Sequence, residues 1–357
     1  MKALIAAGGK GTRLRPMTHT INKHLFPIAN KPMIFYALEK IAAAGIKEVA
    51  ININEGDQTM AKVLGDGKKW GVKITYLEQQ GGALGLAHVV KNAADWLGND
   101  DLLFYLGDNI ISGPINSLVD KFKKEKLDCL LALSEVPDPE RFGVPVFKNG
   151  KIIKVEEKPL KPKSNFAVTG IYVYSSKIME AVRAIKPSPR GELEISDAHT
   201  YLIKNGSRVG SEEITGWWKD TGKPQDLLEG NSLVLSRLEE NKILGEVSPM
   251  ARLEGKVVIG KKTKIGENVL IRGPVVIGEN CLIENATIEP YTSIANNCKI
   301  KGSGVSHSIV CEGSCLIDFS ERIIDSLIGR DCLISASSMI KPEGWRMIIG
   351  DNSQIER

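Results

Sequence analysis

Seven residues near the start of the chain, Gly8-Gly9-Lys10-Gly11-Thr12-Arg13-Leu14, join glycines to cations directly after an apolar run. Glycines there let backbone N–H groups turn toward an anion, so the loop can wrap a phosphate chain, although a tight turn would use them equally well. It is neither a Walker A loop, which needs Gly-Lys-Ser/Thr after four residues, nor a dinucleotide loop, because Leu14 stands where the third glycine belongs. Arg13 tips the balance toward phosphate chemistry, since a guanidinium stabilises charge on oxygen. Two aspartates offer a second chemistry. Asp108 follows the apolar run 102–106 and Gly107, where a strand end would deliver a carboxylate to a cleft, and Asp220 follows two tryptophans and precedes Thr221-Gly222. Carboxylates from two distant segments suit Mg²⁺, but aspartates also start turns very commonly, so both readings stand on residue type alone.

These side chains need a scaffold, and the apolar patterning supplies one. Segments 2–7, 49–53, 102–106 and 129–133 are continuously apolar between polar or turn residues, which predicts buried strands. Met33 to Ala44 has helical spacing and stops at Gly45, and Leu86 to Leu97 predicts a second helix after the glycines of 81–85. Alternating strands and helices imply an α/β domain: a Rossmann-like, mostly parallel sheet with helices on both faces, whose ligands bind beyond the carboxyl ends of the strands.

The texture changes near residue 245. Ile259, Ile265, Ile271, Ile277 and Ile283 recur every six residues, and Ile288, Ile294 and Ile300 resume the period after a one-residue slip. Four residues behind them come Thr263, Val269, Val275, Cys281, Thr287, Thr292 and Cys298. An aliphatic and a small residue on this period predict a hexapeptide left-handed parallel β-helix. Cys281, Cys298, Cys315 and Cys332 then fill small inward positions; the Cys311–Cys315 spacing lacks the second pair a zinc site needs. Segment 223–242 carries apolar residues at helical spacing and bridges two expected domains, 1–243 and 244–357.

Composition narrows the function. The 357 residues are 42% hydrophobic and 25% charged, with a net charge of +4, which fits a globular protein and argues against general nucleic-acid binding. No apolar run approaches the roughly 20 residues of a membrane span, and the opening run is too short for a signal-peptide core. A cytoplasmic protein with six reduced cysteines is the expectation.

The glycine loop is followed by Pro16-Met17-Thr18, Asn22-Lys23-His24-Leu25-Phe26-Pro27 and Asn30-Lys31-Pro32-Met33. Then come Leu84-Gly85-Leu86-Ala87, Leu106-Gly107-Asp108-Asn109, Arg141-Phe142-Gly143-Val144, Glu156-Glu157-Lys158-Pro159, Val168-Thr169-Gly170, Arg190-Gly191-Glu192-Leu193-Glu194 and Trp218-Lys219-Asp220-Thr221-Gly222. This ordered set, covering about the first 225 residues, resembles the sugar-1-phosphate nucleotidylyltransferases, and most of all the members that join dTTP to glucose 1-phosphate and carry a hexapeptide tail. The resemblance implies in-line attack of a sugar-phosphate oxygen on the α-phosphorus of dTTP (or UTP), with Mg²⁺ as cofactor and a deoxysugar precursor such as that of rhamnose as product. It implies catalytic roles for Arg13, Lys23 and Asp108, and metal ligation by Asp108 and Asp220. The nucleotide would be bound by Gly8, Gly9, Gly11, Thr12, Arg13, Gln79 and Gly85, with Gln80 competing with Gln79 for the base. The sugar phosphate would be bound by Gly143, Glu157, Lys158, Val168, Gly170 and Arg190.

Two other functions are weighed against this one. The tail could be an acyltransferase, making the protein bifunctional with UTP and N-acetylglucosamine 1-phosphate, but its one histidine is His307, at an irregular step of the repeat. A non-catalytic nucleotide-sugar-binding regulator would have no use for Arg13, Lys23, Asp108 and Asp220 together. The tail instead suggests self-association into a homo-oligomer, with nucleic acid and membranes excluded as partners.

Overall fold

The computed structural model describes residues 1–336 and 351–356. Its contacts cluster into two compact units, one made of 1–10 and 33–220, the other of 11–32 and the chain from 221 onward.

The first unit is built on a nine-stranded sheet: β1 Lys2–Ala6, β2 Glu48–Asn54, β3 Lys73–Gln79, β4 Leu102–Leu106, β5 Cys129–Glu135, β6 Gly143–Lys148, β7 Lys151–Glu157, β8 Phe166–Tyr174 and β9 Val209–Glu213. All four expected strands are present. They are apolar on both faces because both faces are covered, and Leu4, Ile51, Phe104 and Leu131 are fully buried. The order is β7-β6-β8-β4-β1-β2-β3, with β5 paired to β8 and β9 to β5. Parallel pairing covers β4-β1-β2-β3 and β9-β5, whereas β8 runs antiparallel to β4, β5 and β6. The sheet is therefore mixed. Because β1 pairs with β2 on one side and β4 on the other, the winding reverses beside β1, and that reversal opens a crevice at the carboxyl ends of β1 and β4.

The helix Met33–Ala43 ends as expected near Gly45, whose φ of 78° only glycine adopts cheaply. The helix expected over 86–97 is instead two, Leu86–Asn92 and Ala94–Leu97, interrupted at Ala93. Phe104, Tyr172 and Tyr174 stack through the core, with ring centroids 5.8 and 5.9 Å apart.

In the second unit a helix spans Pro224–Leu235, shorter than the 223–242 expected, and coiling begins with Lys242–Ile243. Three parallel sheets follow, with Ile259 over Ile277 over Ile294 in one and Ile265 over Ile283 over Ile300 in another. Among the inward small residues Thr263, Val269, Val275, Cys281, Thr292 and Cys298 are buried. The slip moves Ala286 into the place expected for Thr287, and Ser314, not Cys315, turns inward beneath Leu316. Cys332 is half-buried, and all six cysteines are free thiols. The corners between sheets need positive φ, and Asn268, Asn280, Asn285, Asn297, Asp318 and Asp331 supply it. Among the described residues no helix is long and apolar enough to cross a membrane.

Candidate active site

The carboxyl ends of β4, β1, β2 and β3 deliver, in spatial order, Asp108, Gly8-Gly9, Asn54 and Gln79. The Gly107 amide donates to the Ala6 carbonyl at 2.9 Å, fixing the Asp108 turn against the start of the glycine loop. Asn54, which sequence reading missed, grips that loop: its Oδ1 accepts from the Gly9 amide at 2.8 Å and its Nδ2 donates to the Gly9 carbonyl at 3.3 Å. Gln79 is buried, accepting from Asn52 Nδ2 at 2.9 Å and donating to the Gly82 carbonyl at 2.8 Å. It therefore shapes the 81–85 loop from below, while Gln80 is exposed. A Cβ at Gly8 would lie 2.7 Å from Gln79 Oε1 and 3.0 Å from Asn52 Nδ2, so glycine here makes room for that amide pair.

Asp108 and Asp220 come together through a two-stranded ladder, Asn109–Ile111 with Trp218–Asp220, in which Asp220 stands opposite Asn109. Asn109 Nδ2 donates to Asp108 Oδ1 at 2.8 Å, and its Oδ1 accepts from the Trp218 indole at 2.6 Å. Tyr172 lies among the carboxylates: burial, and after it the negative charges of Glu157, Asp108 and Asp220, hold its phenol well above the ordinary value. No cluster of three or more metal-ligating side chains occurs among the described residues. Two neighbouring carboxylates suit an ion such as Mg²⁺ that completes its shell with substrate phosphates and water.

The residues expected at the sugar phosphate also converge. Val168 pairs with Gly143, and Glu157 pairs with Gly143 on its other side. A Cβ at Gly143 would meet Ser196 Oγ at 2.9 Å, and a Cβ at Gly170 would meet Leu106 and Asn109, so both glycines are set by close neighbours. Ser196 Oγ donates to Glu157 Oε2 at 2.6 Å, fixing that carboxylate's orientation. Lys158 Nζ lies 3.6 Å and Arg190 3.8 Å from Glu157 Oε1. Arg190 also donates to both Glu194 oxygens, at 2.8 and 2.9 Å, which presets its guanidinium. Gly85 ties this cluster to the 81–85 loop: at φ 100° it passes so close to Leu193 that a Cβ would lie 2.5 Å from that carbonyl oxygen.

The rest of the glycine loop belongs to the second unit. Gly11, at φ 57°, starts a short turn, Thr12–Leu14, that leaves Thr12 and Arg13 exposed. The Thr18 hydroxyl donates to the Gly11 carbonyl at 2.8 Å, and a Cβ at Gly11 would lie 3.2 Å from Lys23 Cβ, so Arg13 and Lys23 rise from one folded arm. His307 of the tail is hydrogen-bonded to Asp325 and meets the Tyr291 ring edge-on at 6.1 Å.

Comparison with known proteins agrees with this geometry. Residues 2–237 match the nucleotidyl transferase family, and residues 256–290 match the bacterial transferase hexapeptide repeats. A glucose-1-phosphate thymidylyltransferase of Streptomyces antibioticus is 44% identical, covering 100% of this chain and 99% of its own. A low-salt glycan biosynthesis nucleotidyltransferase of Haloferax volcanii is 41% identical over 100% of both chains. Among solved structures, a Bacillus anthracis protein named for glucose-1-phosphate thymidylyl transfer matches at TM-score 0.62 and 42% identity, over 65% of this chain and 94% of its own. UDP-glucose pyrophosphorylase bound to UDP-glucose matches at TM-score 0.59 and 25% identity, over 66% and 98%. The chain therefore belongs to the nucleotidyl transferase family, and bacterial transferase hexapeptide repeats follow its family domain.

Proposed function

We propose that the protein is a glucose-1-phosphate thymidylyltransferase, converting dTTP and glucose 1-phosphate to dTDP-glucose and diphosphate in the cytoplasm. The observation that carries this reading is the meeting of Gly8-Gly9 and Asp108 at the carboxyl ends of adjacent parallel strands, where the winding of the sheet reverses. Full-length similarity to enzymes named for the same reaction supports it.

A phosphate oxygen of the sugar substrate attacks the α-phosphorus of dTTP; the bond to the departing diphosphate breaks as the new P–O bond forms, and no enzyme-bound intermediate is required. The chain's task is positioning and charge neutralisation. Amides of the Gly8–Gly11 loop and Thr12 hold the triphosphate, Arg13 balances charge on the leaving diphosphate, and Lys23 neutralises phosphate oxygens near the reacting phosphorus. Asp108 and Asp220 would hold Mg²⁺, which when bound supplies positive charge against the phosphate oxygens. Lys158 and Arg190 pair with the sugar phosphate, and Glu157, held by Ser196, accepts from hexose hydroxyls. Gly143, Val168 and Gly170 give the sugar a close-fitting wall, and the loop from Gln79 to Gly85 faces the base. Residues 1–243 form the transfer domain, and 244–357 form a tail that joins copies into a homo-oligomer.

Diphosphate release, measured with Mg²⁺ over dTTP, UTP, GTP, CTP and ATP against glucose, galactose, mannose and N-acetylglucosamine 1-phosphates, tests the reading. Highest kcat/KM for dTTP with glucose 1-phosphate supports it. A maximum at UTP would reassign the enzyme to UDP-sugar synthesis, and silence across the grid would leave a non-catalytic binder.

A further inference from the structure

The arm from Gly11 to Pro32 carries Arg13 and Lys23, and its far end is a hairpin, Pro27–Ile28 with Lys31–Pro32. The two residues at the hairpin tip, Ala29 and Asn30, both have positive φ, 49° and 60°, a conformation an alanine does not hold by preference. Something must hold it, and one side chain does. Asn231, fully buried on the helix Pro224–Leu235, accepts from the Ala29 amide at 2.9 Å through Oδ1. The same oxygen accepts from the Ser293 hydroxyl at 2.6 Å, and Asn231 Nδ2 donates to the Tyr291 carbonyl at 3.0 Å. Asn30 adds a direct bond to the tail, from Nδ2 to the Ile294 carbonyl at 2.6 Å. Tyr291, Ser293 and Ile294 all belong to one coil of the β-helix, which thereby forms the seat of the hairpin. Between tip and loop the arm is a stiff spacer: Ile28, Phe26 and Leu25 are buried, and Asn22 caps the Lys23–Leu25 turn by accepting from the His24 amide at 3.0 Å.

We infer that Asn231 is a positioning residue for nucleotidyl transfer, fastening the arm that bears Arg13 and Lys23 to the β-helix. An asparagine is the right side chain for the post. Its carbonyl oxygen takes two donors from different segments while its amide donates to a carbonyl, a division that neither a carboxylate nor an aliphatic group can reproduce. The inference rests on the nucleotidyl-transfer reading for its kinetic consequence, and on geometry alone for the tether.

Full-length Asn231→Leu removes all three bonds at similar volume, Asn231→Asp keeps the two acceptances, and Ser293→Ala removes one contact should the leucine variant not fold. We expect Asn231→Leu to lower kcat/KM by roughly 10- to 100-fold, the scale of a small misplacement of catalytic groups. Asn231→Asp and Ser293→Ala should each lose less. The loss should largely disappear when Asn231→Leu is combined with Arg13→Ala, because both changes act through the arm, and trypsin should cut after Arg13 and Lys23 faster in the leucine variant. A folded Asn231→Leu or Ser293→Ala protein with wild-type kcat/KM and wild-type trypsin cleavage overturns the inference, as does a loss that simply multiplies that of Arg13→Ala. Should the wild type release no diphosphate from any substrate pair, the functional reading fails, and the trypsin comparison still decides whether Asn231 holds the arm.

Discussion

Replacing Gly8 by alanine tests the loop at its most constrained point. The backbone of Gly8 lies outside the left-handed region, so alanine carries no dihedral penalty and the perturbation is one of space alone. Its methyl would arrive 2.7 Å from Gln79 Oε1 and 3.0 Å from Asn52 Nδ2, well inside the ~3.5 Å at which carbon meets its neighbours comfortably. The Gln79 amide has no slack to give, because its oxygen is bound to Asn52 and its nitrogen to the Gly82 carbonyl, and both amides are buried. Overpacking of this kind costs about 1–3 kcal/mol, and a buried hydrogen bond left unmade costs a similar amount. Since one displacement produces both, we expect Gly8→Ala to destabilise the protein by about 2–4 kcal/mol rather than by their full sum. Urea unfolding measures the loss, and diphosphate release should fall with it because the 81–85 loop shifts. Gln79→Ala vacates the contested space, so the double variant should be clearly more stable than the two single losses predict. Stability of Gly8→Ala within about 0.5 kcal/mol of wild type, or strict additivity with Gln79→Ala, would refute the steric account.

The other expectations concern charge. Asp108→Asn should lower turnover by roughly 10²- to 10³-fold and weaken the Mg²⁺ dependence, read by diphosphate release over a Mg²⁺ titration; wild-type turnover would remove Asp108 from the mechanism. Arg190→Ala should raise KM for glucose 1-phosphate roughly tenfold while leaving KM for dTTP unchanged, and an equal rise in both would assign Arg190 to the fold instead. Burial pushes the His199 imidazole down to about 3, against 6.5 ordinarily, so between those values the unfolded chain binds a proton that the folded chain refuses. The stability this group contributes is complete above about pH 6.5 and declines by at most about 1.4 kcal/mol per unit as the pH falls toward 3. Removing the buried His199–Tyr174 pair, joined at 2.7 Å, as His199→Leu with Tyr174→Phe, should flatten that decline in urea unfolding at pH 7, 6 and 5. An unchanged slope would mean that other groups cause it.

Much of the fold is legible in the residues because it follows from patterns local in the chain. Continuous apolar runs mark β1, β2, β4 and β5, and the six-residue period marks the coils. What the residues conceal is decided at long range. The antiparallel placement of β8 depends on its neighbours across the sheet, and the break at Ala93 occurs inside a segment whose spacing is helical throughout. The insertion of Ala286 for Thr287, and of Ser314 for Cys315, shows how a shortened repeat moves the inward position by one residue while leaving the composition unchanged. A sharper sign of the coils was available in the asparagines and aspartates at regular corners, whose tolerance of positive φ the bend requires. In the candidate site the charged residues stand out in motifs, and the neutral residues that hold them do not. Asn54, Ser196, Asn231 and Tyr172 look like any polar residue until the fold brings Gly9, Glu157, Ala29 and the aspartates to them.

The glycines show why motif and mechanism are different kinds of knowledge. Read in sequence, Gly8, Gly11 and Gly85 share one expected role, binding of the nucleotide. In the structure they answer to three separate demands. Gly8 has ordinary dihedrals and yields space to a buried amide pair, so a smaller Gln79 would let it change. Gly11 turns through φ 57° with Thr18 and Lys23 packed against it, so it meets a conformational and a steric demand at once. Gly85 is fixed by the Leu193 backbone, which no side-chain substitution can move aside. Tolerance should therefore rank Gly8 above Gly11 and Gly11 above Gly85. At Gly8 a second-site change relieves the clash; at Gly11 Thr18→Ser would remove the nearest contact and leave Lys23 Cβ at 3.2 Å; at Gly85 the chain itself stands in the way, and it carries Arg190 and Glu194 close by.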